Sequence, residues 1–226
     1  MAPAENQKIG MRWWQILIGV WIAGVIWAAF NLIPPAMNLG ETSRIAWFHI
    51  PVAWICVLAF GTAMVCSIGY LRNRQPIWDD RAVAAAEIGL LFAVLATISG
   101  AMWAKKAWGV FWNWDPRESS IVILLLIYGA YFALRSAVDE PERRATLAGV
   151  YNIIAFITVP YLVFVVPRIM ASLHPDPIIN TEGRGGMDAD MRMVLFAGLI
   201  GQTMLFFWIF KLGTRLRSLA REVLHE

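Results

Sequence analysis

Six runs of apolar residues, each close to the length that crosses a lipid bilayer, constrain this chain more than any other feature. They cover residues 13–33, 48–70, 82–103, 120–137, 146–168 and 192–212. A helix rises 1.5 Å per residue, so about 20 residues span roughly 30 Å of hydrocarbon. In that layer every backbone N–H and C=O must be satisfied internally, which a helix does alone. The expected fold is all-α: an integral membrane bundle of six transmembrane helices, forming a single membrane domain over residues 1–226. The composition agrees, with 59% of residues hydrophobic and 15% charged. The first run is too long for a signal-peptide core and lacks a cleavage site after it, so it reads as a retained span.

Breakers separate the runs. Pro34-Pro35 stops the first, and Arg72, Arg74 and Pro76 follow the second. Asp139-Glu140-Pro141-Glu142-Arg143-Arg144 divides the fourth from the fifth, and Pro175, Pro177 and Gly183-Arg184-Gly185-Gly186 precede the sixth. Lysine and arginine set the orientation. If both termini are cytoplasmic, the inner segments hold twelve of the nineteen basic residues, among them Lys8 and Arg12. The positive-inside rule therefore favours cytoplasmic N and C termini. The outer connections are then 34–47, 104–119 and 169–191.

Several classes are excluded. No basic run resembles a nucleic-acid surface, so no nucleic-acid partner is expected. There is no Walker A loop, nucleophile elbow, His-Glu-x-x-His or dinucleotide fingerprint, so the chain has no ATPase or hydrolase site of its own. Cys56 and Cys66 would lie about 15 Å apart along one helix, too far for a disulfide, and read as small apolar side chains. No Cys-x-x-Cys-His is present, so any haem would be non-covalent. The residues do not offer the four close ligands of a structural zinc site. Glu87, within the third run, receives no assigned role.

The middle outer connection carries the strongest signal. Residues 108–120 read Trp-Gly-Val-Phe-Trp-Asn-Trp-Asp-Pro-Arg-Glu-Ser-Ser, and Trp103, Trp108, Trp112 and Trp114 are four of the chain's twelve tryptophans. Indoles offer broad apolar faces with one N–H at the edge, which suits a large planar ligand. An interfacial aromatic belt is the alternative. A short amphipathic helix over 104–115 would put Trp108, Phe111, Trp112 and Asp115 on one face. Asp115-Pro116-Arg117-Glu118 also reads as a helix start, with Asp at the N-cap, Pro at N1 and Glu at N3.

There are three histidines. His225 falls in the basic C-terminal segment. His49 and His174 both fall on the predicted outer face, beside the tryptophans. Two neutral imidazoles on opposite sides of a porphyrin can supply both axial ligands of a haem iron. Alternatively, each is an interfacial histidine bonded to backbone or water. Arg44, Arg117, Arg168, Lys105 and Lys106 share that face and could meet haem propionates or, equally, lipid phosphate.

The pattern Trp-Gly-x-Phe-Trp-x-Trp-Asp-Pro resembles the signature of the tryptophan-rich (WWD) haem-handling family, which includes the cytochrome c maturation proteins C and F. The segments Arg44-Ile-Ala-Trp-Phe-His49-Ile-Pro-Val-Ala-Trp54 and Val166-Pro-Arg-Ile-Met-Ala-Ser-Leu-His174 are similar to those carrying the two haem-ligating histidines of the protein C branch. The resemblance implies an inner-membrane protein that binds haem b without a covalent bond. His49 and His174 would be the axial ligands, and Trp108, Trp112, Trp114 and Asp115 the haem platform. Phe111 would help cover the porphyrin, and Arg44, Arg117 and Arg168 would face the propionates. The implied partners are a periplasmic haem chaperone, an ABC-type ATPase with its membrane subunit, a small single-span subunit and membrane lipid. Three other functions are compatible with parts of the pattern: a membrane cytochrome b carrying electrons, a synthase-type haem lyase, and a permease subunit without cofactor.

Overall fold

The computed structural model describes residues 13–35, 39–174 and 188–225, and the architecture is all-α. Lys8, Arg12, the 175–187 part of the last outer connection and the His225 side chain lie outside the described residues. Among the described residues, six helical segments are long and apolar enough to cross a membrane. Helix α1 spans Trp13–Asn31, and a 3-10 turn at Glu41–Ile45 leads into α2, Ala46–Asn73. Helices α3 and α4 span Pro76–Ala107 and Pro116–Ala137. Helix α5, Pro141–Pro160, continues through a π turn at Tyr161–Val165 into the short α6, Val166–Ile169. Helix α7 spans Ala189–His225.

The helices α2, α3 and α7 run beyond the expected apolar limits because their polar ends continue the helix. The fifth span is not one regular helix. Pro160 and Pro167 flank or follow the π turn, and the Val166 amide bonds back to the Tyr161 carbonyl. Proline lacks the N–H and its ring crowds the preceding turn, so the chain widens there.

Helices α2 and α3 form the most extensive pair. Arg74 closes α2 in the left-handed region, at φ 56°, and Pro76 opens α3 at once. Small residues let the helices approach, as in other membrane bundles. A Cβ at Gly89 would stand 2.5 Å from the Phe60 ring, and one at Gly69 would stand 2.6 Å from Trp78. Phe60 stacks on Tyr128 of α4 at 3.4 Å between ring centroids, so the core continues from α2 into α4. Cys56 and Cys66 are both buried and free.

Charges pair at the end of the bundle holding the α2–α3 turn. Arg135 of α4 donates twice to Asp79 of α3, at 2.7 and 2.8 Å. Arg221 pairs with Asp80 at 2.7 Å, and Arg217 pairs with Glu87. Glu87 thus ties α3 to α7. The up-and-down order of the helices brings the start of α2, the end of α3, the start of α4 and the end of α6 to the opposite end.

Candidate functional site

That opposite end carries both histidines. His49 lies in the first turn of α2, fixed by a regular helix. His174 lies on an irregular stretch after α6, where Met170 turns extended and the chain folds back towards α4. Their ring centroids are 6.5 Å apart and their planes differ by 21°. Trp103 of α3 lies nearly parallel to His174, 4.9 Å away with 11° between the planes. Trp108 stands edge-on to both, 5.3 Å from Trp103 and 5.6 Å from His174. Both indoles and both imidazoles are only partly buried.

The segment between α3 and α4 is not the amphipathic helix expected over 104–115. Helix α3 continues to Ala107, Trp108 is its C-cap, and residues 108–115 form an irregular connection. Gly109 turns the chain at φ 82°, a left-handed value that glycine adopts without a Cβ clash. Lys105 donates to the Gly109 carbonyl at 2.9 Å and lies over the Phe111 ring at 5.4 Å. Glycine inside the segment, together with an N-cap six residues later, outweighs the helical spacing of its aromatics. Trp108, Phe111, Trp112 and Asp115 therefore do not share a helix face. Trp112 and Trp114 meet edge to face at 5.8 Å, as a second aromatic pair. Phe111 and Trp114 are exposed, at 58% and 69%. Trp114 has φ 62°, uncommon for so bulky a side chain.

The helix-start reading of Asp115-Pro116-Arg117-Glu118 holds. Asp115 is the N-cap of α4, accepts from the Arg117 amide at 3.0 Å and forms a capping box with Glu118. Glu118 accepts from the Asn113 and Asp115 amides at 2.9 and 3.2 Å. The buried carboxylate of Asp115 does more than the sequence indicated. Ser172 donates to both of its oxygens at 2.9 Å, and the Leu173 amide donates to Oδ2 at 2.8 Å. The His174 amide in turn donates to Ser172 Oγ at 3.1 Å. One carboxylate therefore starts α4 and anchors the His174 strand of chain.

The electrostatics favour a neutral His174. Burial disfavours its charged form, and the Arg117 charge adds to that, pushing its pKa down to about 4. Burial alone would raise the Asp115 carboxyl, but hydrogen bonds from the Arg117 and Leu173 amides and from Ser172 outweigh it and hold it low. A neutral imidazole beside an ionised carboxylate is the state that can ligate a metal.

The cations sit differently. Arg117 lies in the first turn of α4, where its charge acts on His174. Arg168 is exposed and donates to the Phe164 carbonyl at 2.6 Å. Arg44 is buried and turned towards α1: it donates to the carbonyls of Ala29 and Ile33, the latter at 2.8 Å, and pairs with Glu41. The sequence reading missed Trp103 as a histidine neighbour and missed Ser99, whose Oγ is 2.9 Å from His49 Nδ1. Only the i−4 relation of Ser99 to Trp103, which puts both on one face of α3, could have pointed to them.

The donor set suits a haem better than a bare ion. Among the described residues no group of three or more His, Cys, Asp or Glu could hold a metal. A porphyrin brings its own in-plane nitrogens, so two protein imidazoles complete the iron's ligands.

A family model described as heme exporter protein C matches residues 4–226 of this chain. A heme exporter protein C from Bradyrhizobium diazoefficiens is 34% identical over 192 residues, covering 85% of this chain and 73% of that protein. The heme exporter protein C of Rhodobacter capsulatus is 29% identical over 202 residues, covering 89% of this chain and 83% of its own. A putative cytochrome c biosynthesis ccmC-like mitochondrial protein of Arabidopsis thaliana is 28% identical over 210 residues, covering 91% and 78%.

Proposed function

Since this chain belongs to the heme exporter protein C family, a haem-handling family of cytochrome c biogenesis and of the inner membrane, we propose that it holds haem b at the periplasmic face and hands it to a periplasmic haem chaperone. The observation that carries the reading is the pair of imidazoles, 6.5 Å apart with near-parallel planes, at one end of the bundle. His49 and His174 are the axial ligands of the cargo. Trp103 and Trp108 set the His174 ring, and Phe111, Trp112 and Trp114 give the haem an aromatic surface. Arg117 and Arg168 are the cations for the propionates, by charge-assisted hydrogen bonds.

Release is part of the function, and the exposure of Phe111 and Trp114 supports transfer over permanent storage. A membrane cytochrome b keeps its haem between helices, whereas His174 sits on an irregular segment after α6. The partners are the chaperone, an ABC-type ATPase with its membrane subunit, and a small single-span subunit. Both termini lie in the cytoplasm, on the argument from basic residues. The test mixes haem-loaded protein with haem-free chaperone and separates the two. Movement of haem to the chaperone is the expected result. Haem that stays on this chain while cycling between redox states would establish the electron-carrier reading instead.

A further inference from the structure

Ser99 is a hydroxyl in an apolar helix, and no motif marks it. Its Oγ lies 2.9 Å from His49 Nδ1, 2.8 Å from the Leu95 carbonyl and 3.2 Å from the Ala96 carbonyl. A serine hydroxyl has one proton and two acceptor lone pairs, whereas a carbonyl oxygen only accepts. The carbonyls of α3 therefore take the Ser99 proton, and the oxygen is left to accept from His49. That contact calls for an N–H at Nδ1 of His49. A neutral imidazole carries one such proton. With Nδ1 protonated, Nε2 keeps its lone pair.

The next residue closes the ring in. A Cβ at Gly100 would stand 3.2 Å from His49 Cε1, tighter than an ordinary contact, so the α3 backbone passes against the imidazole edge. Ser99 and Gly100 together hold the ring from one side.

We infer that Ser99 is a positioning residue that fixes His49 as the Nδ1–H tautomer and leaves Nε2 for the iron of the cargo. The inference rests on the haem-binding reading for its purpose, but the tautomer stands on geometry alone. Metal-ligating histidines commonly donate their other ring N–H to an oxygen, which fixes the tautomer and raises ligand basicity.

Nitrogen-15 NMR of haem-free protein labelled at its three histidines tests this, with His174→Gln and His49→Gln assigning the signals. His49 should be protonated at Nδ1 alone. Ser99→Ala should turn it into a mixture of tautomers, and Ser99→Thr, which keeps the oxygen, should restore one. In haem-loaded protein Ser99→Ala should lower haem affinity about 10- to 100-fold and shift the low-spin ferric EPR signal, while Ser99→Thr stays near wild type. An Nε2–H tautomer in the wild type, or an unmoved tautomer in Ser99→Ala, overturns the inference. Haem binding unchanged by His49→Ala would overturn the haem reading instead, and the tautomer result would remain.

Discussion

Ser172 donates its hydroxyl between the two carboxylate oxygens of Asp115, at 2.9 Å from each. That contact joins the N-cap of α4 to the segment carrying His174, a link that neither sequence role of Asp115, helix cap or haem platform, contains. The position of one proposed axial ligand thus depends on a helix start in another element.

Asp115→Asn separates the two duties. Asparagine caps helices about as well as aspartate and can still accept from the Arg117 amide. Its NH2 cannot accept from the Leu173 amide, which bonds Oδ2 in the wild type. A hydrogen bond to a charged group contributes about 1.5–3 kcal/mol to the folded state; since this one pins the His174 segment and not the cap, haem affinity should fall up to about ten- to a hundredfold, with thermal unfolding lowered less than in Asp115→Ala. Asp115→Ala should lose the same affinity and also about 1 kcal/mol of stability from the cap. Haem titration and a melting curve on both variants check this.

Acid should destabilise the haem-free protein through His174. Its folded pKa, about 4, lies below the ordinary 6.5. Between those values the unfolded chain binds the proton and the folded chain does not, so stability falls as pH falls through that window. Asp115 works in the same direction at lower pH: its stability is present above the ordinary aspartate value and is lost as pH falls through its lowered one. Unfolding of wild type and His174→Gln at pH 7 and pH 4.5 should show a shallower dependence in the variant. Equal dependence would mean that His174 is not held neutral.

Arg44 should act on the fold. It supplies donors to the Ala29 and Ile33 carbonyls at the end of α1, where helix carbonyls lack intrahelical partners. Arg44→Ala leaves them unmet, at a cost of about 2 kcal/mol. Its melting temperature should drop while the folded fraction binds haem within about threefold of wild type, the scatter of such measurements being below the 1.4 kcal/mol of a tenfold change. Lost affinity with unchanged melting would make Arg44 a propionate partner.

Trp114 holds a left-handed backbone, at φ 62°, with 69% of its surface exposed. Glycine takes that conformation freely, and a left-handed L-residue costs roughly 1–2 kcal/mol. Trp114→Gly should therefore leave the protein at least as stable as wild type and weaken haem binding. A variant that melts earlier and binds haem normally would make the indole structural.

The six spans were legible because hydrophobic length alone decides what crosses a bilayer. The α4 start was legible because capping is local chemistry, with Asp115, Pro116 and Glu118 at fixed offsets. The Trp-rich connection was not, since its helical spacing competes with Gly109 and with the cap at Asp115, and the local signals win. Ser99, the contact of Trp103 with His174 and the second duty of Asp115 were hidden for another reason. Their partners, His49, His174 and Ser172, lie far along the chain, and a serine in an apolar helix looks the same whether or not a ligand histidine packs against it. Arg44 shows the converse: it lies at the end of the bundle that carries His49, but the end of α1 takes its guanidinium.

The proposed haem site stands or falls with His49 and His174 acting together. Optical and EPR spectra of the haem-loaded protein, taken for wild type, His49→Ala, His174→Ala and the double variant, test it most directly. Wild type should give a bis-histidine low-spin spectrum, each single variant altered ligation, and the double variant no low-spin haem. An unchanged bis-histidine spectrum with full haem content in the double variant would contradict the two-histidine site.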